Sequence, residues 1–329
     1  MIEKIIRNTL ERWGYWEIKV PILGEIFLWK DNNVVKILDG KGDILALRPE
    51  ITSLVIQNMN YTDVPVRVYY MGPIFLLEND EIVENFQIGW ELISVQEEWR
   101  DIEGLMLIID ILSKLNIEEF VIEINTTEIW EYIWRDFEKE KVEKWKKYLV
   151  KKDYVSLIDD IYIEKKDIIE DIKNLIFYSK KNIKNSELKL IIEKLYNFKE
   201  NLEKIGIDKN KIKISPRLFR PFDYYKGLIF QVYLKELKTS LGGGGSYIQY
   251  NKKGEKVCGI GFAFIEEKLL PILKDFKEDK KIFIGKKEKY VDYYKILKEE
   301  REKGSRVIFI PFIENLKVEE LKGEIEFLK

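Results

Sequence analysis

The sequence predicts an α+β fold, in which an antiparallel sheet is interrupted by a helical insert and followed by a small α/β tail. Three observations predict it. Short apolar stretches typical of strands occur on both sides of a central region. In that region proline is absent from 74 to 215 and glycine from 105 to 205, which favours helices. The tail has the pattern of a β-α-β unit, with a strand, a helix and a strand at 281–285, 287–303 and 306–311.

Local signals predict each element of the main domain. A helix is predicted over 3–13, ending at Gly14. Residues 34–38 and 44–47 flank the turn signal Asp39-Gly40, which indicates a hairpin. The other predicted strands are 66–70, 86–93, 120–125, 228–234, 246–250 and 257–262, and the other predicted helices are 51–59 and 266–274.

The changes in composition divide the chain into four parts. The central region is dense in Lys, Glu, Ile and Leu at helical spacing from 128 to 204, which indicates a helical insert. The predicted parts are a first part of the core at 1–126, the insert at 127–210, a second part of the core at 211–277 and the tail at 278–329.

Composition excludes several classes of function. The chain has 329 residues, of which 46% are hydrophobic, so it can bury a core. It contains no histidine and one cysteine, Cys258. Hydrolases that use histidine, metalloenzymes with histidine ligands and internal disulfides are therefore excluded, and we expect no metal site. Lys and Arg (56) balance Asp and Glu (58), which argues against an extended nucleic-acid-binding surface.

Neither a signal peptide nor a membrane segment is predicted. Residues 1–15 mix charged and apolar side chains without an apolar core. The longest apolar stretch nearby, 104–109, is closed by Asp110 and is too short to span a bilayer. We expect a soluble cytoplasmic protein that makes no membrane contact, with Cys258 buried in a strand and without a catalytic role.

The strand predicted around residues 85–92 has one polar face. Because side chains alternate along a strand, Gln87, Gly89 and Glu91 share a face, while Phe86 and Trp90 lie on the other. An amide and a carboxylate that flank a position without a side chain form a polar recess for a small ligand. The alternative is a half-exposed strand whose polar face contacts water.

Three further segments contain candidate ligand-binding groups. In 47–52, Glu50 and Thr52 open a helix, where capping of backbone N–H groups is the alternative that local sequence favours. In 219–227, Arg220 lies among aromatic residues and suits a carboxylate, the alternative being a surface loop with aromatic packing. The four-glycine run in 241–247 suits phosphate, but it lacks a P-loop lysine, which favours close backbone packing or a flexible turn.

Taken in order, these segments resemble the catalytic core of histidyl-tRNA synthetase over residues of about 10 to 275. The resemblance implies a class II aminoacyl-tRNA synthetase-like fold, with six or seven antiparallel strands flanked by helices. Residues 14–17, leading to Pro21, resemble the motif through which class II synthetases dimerise. The segments that carry the resemblance are 47–50, 72–75, 87–91, 223–227, the glycine run up to Tyr247, and 259–263.

The resemblance implies a pocket for free histidine. A zwitterion needs an acid for its ammonium group and a cation for its carboxylate, and burying these protein groups without a partner would be costly. Seven positions have the family's residue types. They are Glu50, Thr52 and Gln87 for the α-ammonium group, Glu91 and Tyr225 for the imidazole, Arg220 for the carboxylate side, and Tyr247 as a ring that lines the pocket.

The ATP half of the synthetase site departs from the family pattern. Leu76 replaces the arginine that holds the ATP α-phosphate, and the segment after it, 78–84, is acidic. Ile265 replaces a glycine of the third motif, and Lys268 replaces its arginine, whose planar guanidinium lysine does not reproduce. Since acidic groups repel a triphosphate, we expect that adenylation is lost and that the chain has no cofactor.

A synthetase-like chain that keeps histidine recognition and loses adenylation resembles the regulatory subunits of ATP phosphoribosyltransferase. That resemblance implies a short-form catalytic subunit as partner, in a hetero-octamer that histidine inhibits by feedback. The tail at 278–329 is then only a remnant of the anticodon-binding domain, and we expect no tRNA binding. Two alternatives remain: a histidyl-tRNA synthetase with a degenerate ATP site, and a synthetase-like RNA-binding paralogue.

Overall fold

The chain forms two compact units, Met1–Pro271 and Ile272–Lys329. The structure is a computed structural model that describes residues 2–29, 34–58, 65–94, 97–178, 183–234, 240–273, 280–303, 305–312, 317–318 and 323–328. The predicted boundary between residues 277 and 278 lies outside these ranges. Within them, no helix combines the length and the apolar character that a bilayer crossing requires.

The first unit is built on an eight-stranded sheet, which confirms the predicted α+β class. Its strand order is β1-β5-β6-β11-β10-β9-β7-β8, and neighbours are antiparallel except for the two parallel edge pairs, β1 with β5 and β7 with β8. The strands of this sheet are β1 (Trp16–Glu17), β5 (Val66–Glu78), β6 (Glu81–Ile93), β7 (Phe120–Thr126), β8 (Ile212–Ile214), β9 (Tyr225–Leu234), β10 (Ser240–Tyr250) and β11 (Lys256–Ile265).

Smaller sheets and the helices complete the two units. The N-terminal strands β2 (Leu23–Glu25), β3 (Lys36–Leu38) and β4 (Ile44–Leu47) form an antiparallel sheet that contains the predicted hairpin. The helices are α1 (Ile2–Arg12), α2 (Thr52–Asn58), α3 (Glu97–Lys114), α4 (Thr127–Trp134), α5 (Lys139–Lys151), α6 (Tyr154–Glu164), α7 (Ile169–Lys173), α8 (Ser186–Lys204), α9 (Glu266–Leu269) and α10 (Tyr290–Glu302).

Strands β5 and β6 form a long hairpin that extends beyond the predicted strands 66–70 and 86–93. Each strand has 13 residues, and only Asn79 and Asp80 connect them. Their φ angles of 51° and 65° are those of a type I′ turn, whose twist matches that of a hairpin. The acidic segment 78–84 therefore lies mainly on paired strands.

The four-glycine run lies inside β10, which pairs with β9 on one side and β11 on the other. Gly242 and Gly244 are packed so closely against the backbone of β11 that a β-carbon at either position would clash with it. Close backbone packing, one of the two predicted alternatives, is therefore correct, and the flexible turn is wrong. The strand also begins six residues earlier than the predicted 246–250.

Helices cover the apolar face of β6. The Trp90 ring packs edge-on against Tyr15, which follows α1, with 5.8 Å between ring centroids. Gly104 of α3 lets that helix approach closely, because a β-carbon there would lie 2.9 Å from the Trp90 ring. The opposite face of the sheet, with Gln87 and Glu91, is left for the candidate site.

Residues 127–204 are helical in the described ranges and have a hydrophobic core of their own, which includes Trp130, Trp145 and Leu188. Side chains cap the helices that begin this region and lie within it. Thr126 accepts a hydrogen bond from the backbone N–H of residue 128 at the start of α4, and Asn185 caps α8 in the same way.

The second unit has the predicted β-α-β pattern and one strand more. Strand β12 (Lys280–Gly285) pairs in parallel with β13 (Arg306–Pro311) and with β14 (Glu324–Phe327), which the sequence did not predict. In the first unit the predicted helix ends Met59 and Lys274 lie outside the described residues. Cys258 lies in a strand as predicted, but it is half-buried instead of buried.

Candidate functional site

The candidate site lies on the sheet face that bears Glu91. The registers place Glu91 beside Gly261 of β11, Gly261 beside Gly245 of β10, and Gly245 beside Ile229 of β9. Gly89 belongs to the next row along the same face, as alternation predicted. We call the seven predicted binding residues on and around this face, together with Tyr70, the Glu91 site.

Glycines make room for the side chains of the Glu91 site. A β-carbon at Gly89 would lie 2.6 Å from the ring of Tyr70, and one at Gly259 would lie 2.5 Å from the hydroxyl oxygen of Tyr247. Glu91 lies over Gly261 in the same way, and Arg220 lies over Gly243. Polar side chains can therefore lie flat on the sheet at positions where the neighbouring strand has a glycine and no side chain of its own.

The Glu91 carboxylate is fully buried, with 0% of the residue exposed. Its Oε1 accepts hydrogen bonds from the hydroxyl of Thr52, at 2.7 Å, and from the hydroxyl of Tyr70, at 3.2 Å. Burial raises the pKa of Glu91 to about 8, and hydrogen bonds with Thr52, Tyr247 and Tyr70 oppose the rise. The strand therefore does not present a solvated polar face at Glu91, which was the alternative reading.

Glu50 has the capping role that local sequence favoured. Its Oε2 accepts a hydrogen bond from the backbone N–H of Ser53 at 3.0 Å, at the start of α2. Its Oε1 accepts a second hydrogen bond from the indole of Trp29 at 2.6 Å. Burial raises the pKa of Glu50. The hydroxyl of Thr52 contacts the site instead, where it donates a hydrogen bond to Glu91.

Arg220, in the segment before β9, and Tyr225, the first residue of β9, border the same face. Arg220 Nη2 lies 3.4 Å from the hydroxyl of Tyr225, and the guanidinium lies 5.4 Å from the centre of that ring. Arg220 Nε is buried and has no hydrogen-bond partner among the described residues. The same holds for Oε1 of Gln87. Buried polar atoms of this kind are normally paired, so each is a candidate contact for a ligand.

A cavity of about 100 Å³ adjoins these residues. Its walls include Trp130 and Trp134 of α4 together with Arg220, Phe222 and Tyr225. Two exposed ion pairs also connect the helical region to this segment: Lys146 with Asp223 at 2.7 Å, and Lys226 with Glu131 at 2.9 Å. The alternative of a plain surface loop is therefore incomplete, because the segment is packed between the sheet and α4.

Sequence reasoning missed two residues of this region. Tyr70 is only 3% exposed and contacts Glu91 directly. Recognising Asn79-Asp80 as a two-residue turn would have predicted this contact, because that turn sets the register in which Tyr70 lies opposite Gly89.

Arg48 belongs to one of the predicted motifs, where it had no assigned role, and the structure shows that it has a structural role. It is buried and donates to the carbonyls of Pro73, Val20 and Pro21 at 2.8, 2.9 and 3.1 Å.

The ATP side, defined by the departures at Leu76 and Ile265, is apolar. Both side chains pack against one hydrophobic cluster, which includes Ile51, Val68 and Ile74. Close to it, the carboxylate of Glu267 accepts a hydrogen bond from the backbone N–H of Phe86 at 2.8 Å. Leu76 and Ile265 thus lie in one apolar cluster, at the positions where the resemblance implies an arginine and a glycine.

A protein-family model described as histidyl-tRNA synthetase matches residues 1–269. A relative from Halothermothrix orenii, named ATP phosphoribosyltransferase regulatory subunit, is 30% identical, and the match covers 84% of this chain and 73% of the relative. A relative of the same name from Bacillus thuringiensis strain Al Hakam is 27% identical, with coverages of 84% and 72%.

Solved structures have the same fold. A Bacillus halodurans structure titled ATP phosphoribosyltransferase regulatory subunit/histidyl-tRNA synthetase has a TM-score of 0.73 at 19% identity, and the match covers 100% of this chain and 93% of that one. Histidyl-tRNA synthetase from Nostoc sp. PCC 7120 has a TM-score of 0.72 at 16% identity, with coverages of 97% and 83%. These likenesses confirm the predicted class II synthetase-like fold.

Proposed function

Because the chain belongs to the histidyl-tRNA synthetase family, with relatives named as regulatory subunits of ATP phosphoribosyltransferase, we propose that it regulates such an enzyme by binding free histidine. In this proposal it activates a short-form catalytic subunit in the cytoplasm and makes the first step of histidine biosynthesis sensitive to histidine. The supporting observation is that amino-acid-binding groups converge at the Glu91 site while the ATP side is apolar.

The sheet registers support an orientation for the ligand. Glu91 and Gly261 form one row of the face, and Gly89 and Ala263 form the next row. Gly243 pairs with Ala263 and so belongs to this second row, and the guanidinium of Arg220 lies over Gly243. Adjacent rows are separated by about 6.8 Å, two residues along a strand. An imidazole at Glu91 therefore places a carboxylate near Arg220. Gln87 is one row further on, where its unpaired Oε1 suits the α-ammonium group.

An active synthetase is the less favoured function. Adenylation requires cations around a triphosphate, and the apolar cluster at Leu76 and Ile265 provides none. Lys268 is the residue at the position of the family's arginine. We therefore propose that the chain is not an enzyme and requires no cofactor.

The proposed assembly is a self-dimer of this chain within a hetero-octamer. Trp16, in the edge strand β1, is 78% exposed, and Phe27 and Leu38 are 67% and 70% exposed. Exposed apolar side chains of this size suit burial against a second copy.

The proposed domains are the core (1–126 and 211–277), the helical insert (127–210) and the tail (278–329). The tail is proposed to be a remnant without affinity for tRNA.

Co-purification tests the proposal most directly. The full chain is co-expressed with a short-form ATP phosphoribosyltransferase, and the activity of the complex is measured with and without histidine. We expect a stable complex, higher activity than that of the catalytic subunit alone, and inhibition by histidine. The control is the same catalytic subunit with an E91Q chain, which should still assemble but respond less to histidine. Failure of the two chains to associate would disprove the proposal.

A further inference from the structure

Residues 73–86 form an arm in which β5 and β6 pair only with each other. The pairing of β6 with β11 ends at Gln87, and the pairing of β5 with β1 covers only residues 68 and 69. The arm therefore has two edges without a neighbouring strand, which we call the β5 edge and the β6 edge. A free edge presents backbone groups to which a further strand can bind.

The turn at 79–80 decides which backbone groups of the arm point outward. In a two-residue hairpin the flanking residues, here Glu78 and Glu81, exchange both backbone hydrogen bonds, and such pairs alternate with pairs that exchange none. The N–H and C=O groups of the even-numbered residues of β6 therefore point away from β5. Phe86 agrees with this pattern, because its N–H donates to the carboxylate of Glu267 at 2.8 Å.

The β6 edge is free at Ile82 and Glu84. Within the described ranges, no backbone hydrogen bond joins the outward groups of these two residues to another strand. Ile82 is also 61% exposed, although its side chain is large and apolar. The β5 edge is more restricted, because Pro73 has no N–H group and the N–H of Phe75 donates to the carbonyl of Arg48 at 2.9 Å. The β6 edge therefore offers the longer free stretch of backbone.

The charge of the arm indicates what kind of strand can bind there. The arm contains no Lys or Arg, and it has four exposed acidic residues: Glu78, Asp80, Glu81 and Glu84. Two copies of this chain paired through the β6 edge would bring these carboxylates together, which is unfavourable. The phosphates of RNA would be repelled for the same reason. A strand that carries Lys or Arg would be attracted.

We propose that the β6 edge, residues 81–86, binds an extended basic segment of the catalytic subunit, which adds a strand to the arm. This inference rests on the proposed function and extends it, because it assigns a surface of this chain to that partner. The outward backbone groups of Ile82 and Glu84 form hydrogen bonds with the added strand. The acidic residues attract the basic segment and select against strands of other charge.

The test compares Ile82→Pro with Leu77→Pro in the full chain. Leu77 lies directly opposite Ile82, so both prolines enter the same pair, and each removes only an N–H group that points out of the arm. Biolayer interferometry measures binding to an immobilised short-form catalytic subunit. I82P should weaken binding at least about 10-fold, because it removes a backbone hydrogen bond and places a ring against the incoming strand. L77P should weaken it less than about 2-fold.

A charge reversal tests the chemistry of the partner segment. Glu84→Lys and Glu118→Lys change the net charge equally, and Glu118 is an exposed residue outside the arm, in the segment before β7. E84K should slow association about 10-fold at low salt and less at high salt, because salt screens the attraction between exposed charges. E118K should keep the association rate of the unmodified chain.

The outcomes separate this inference from the proposed function. Equal binding by I82P, L77P and the unmodified chain would overturn the role of the β6 edge alone. Absence of binding by the unmodified chain would overturn the proposed function and this inference with it. A changed oligomeric state of isolated I82P in size-exclusion chromatography would identify a second copy as the occupant and overturn the inference. If I82P fails to fold by circular dichroism, unchanged association of E84K would overturn it.

Discussion

Glu91 and Gly261 are direct neighbours across strands β6 and β11, and the carboxylate of Glu91 occupies the space that a side chain at residue 261 would need. This relationship connects the glycine-rich strands to the chemistry of the site. A carboxylate can be buried flat against the sheet only where the adjacent strand has a hydrogen in place of a side chain. The structure thus explains why glycines surround the polar residues.

Gly261→Ala should therefore displace the Glu91 carboxylate. The added methyl group overlaps the carboxylate, and overpacking of this kind costs about 1–3 kcal/mol. We expect a lower free energy of unfolding in urea and weaker histidine binding. Gly40→Ala is the matched control, because no atom lies within 4 Å of a β-carbon at that position. Equal stability of the two variants would contradict the packing at Gly261.

Glu91→Gln should weaken histidine binding by roughly 10- to 100-fold, which is the loss expected for a hydrogen bond to a charged group. The amide keeps the size of the side chain but removes the carboxylate. Titration calorimetry measures the affinity. Glu123→Gln is a suitable control, since Glu123 lies in β7 and its partner is the surface residue Lys213 at 3.0 Å. Similar affinities for E91Q and the unmodified chain would exclude Glu91 as a ligand contact.

The stability of the ligand-free chain should fall as pH rises from about 5 to about 8. Folding raises the pKa of Glu91 from 4.5 to about 8, so between these values the folded chain holds a proton that the unfolded chain has released. The stabilisation is complete below the unfolded value and is lost as pH passes the folded value. Burial shifts the pKa of Glu50 in the same direction. The chain has no histidine, whose titration would otherwise fall in this range.

The measurement is urea unfolding at a series of pH values, with E91Q as the comparison. The variant has no proton to lose at this position, so its slope of stability against pH should be flatter. Glu123→Gln should keep the slope of the unmodified chain, because Glu123 forms a surface ion pair. Parallel slopes for E91Q and the unmodified chain would show that Glu91 titrates normally.

Restoring one arginine should not restore adenylation. Leu76→Arg places a charge against the hydrophobic cluster around Ile51 and Val68, so we expect a lower melting temperature. It leaves Lys268 and Ile265 unchanged, and histidine-dependent exchange between ATP and pyrophosphate should stay at background. Leu76→Met is the control for a change of side chain without charge. Measurable exchange in L76R would mean that the rest of the ATP site is intact.

The sequence by itself determined the fold class, most of the strands and the family. Alternation around Glu91, the turn signal at Asp39-Gly40 and the run of residues without glycine or proline are local patterns, and local patterns depend only on neighbours along the chain. The set of motifs around Arg220 and Tyr247 led to the expectation of a histidine pocket before any contact was known.

Only the tertiary structure decided which groups meet. Alternation states which face a residue occupies, but not which residue lies opposite, because that depends on strand register and on segments distant in sequence. The contact of Tyr70 with Glu91 follows from the β5–β6 register, and the shared cluster of Leu76 and Ile265 joins positions separated by most of the chain. Burial, which raises the pKa of Glu91, likewise arises only when the sheet and its covering helices pack together.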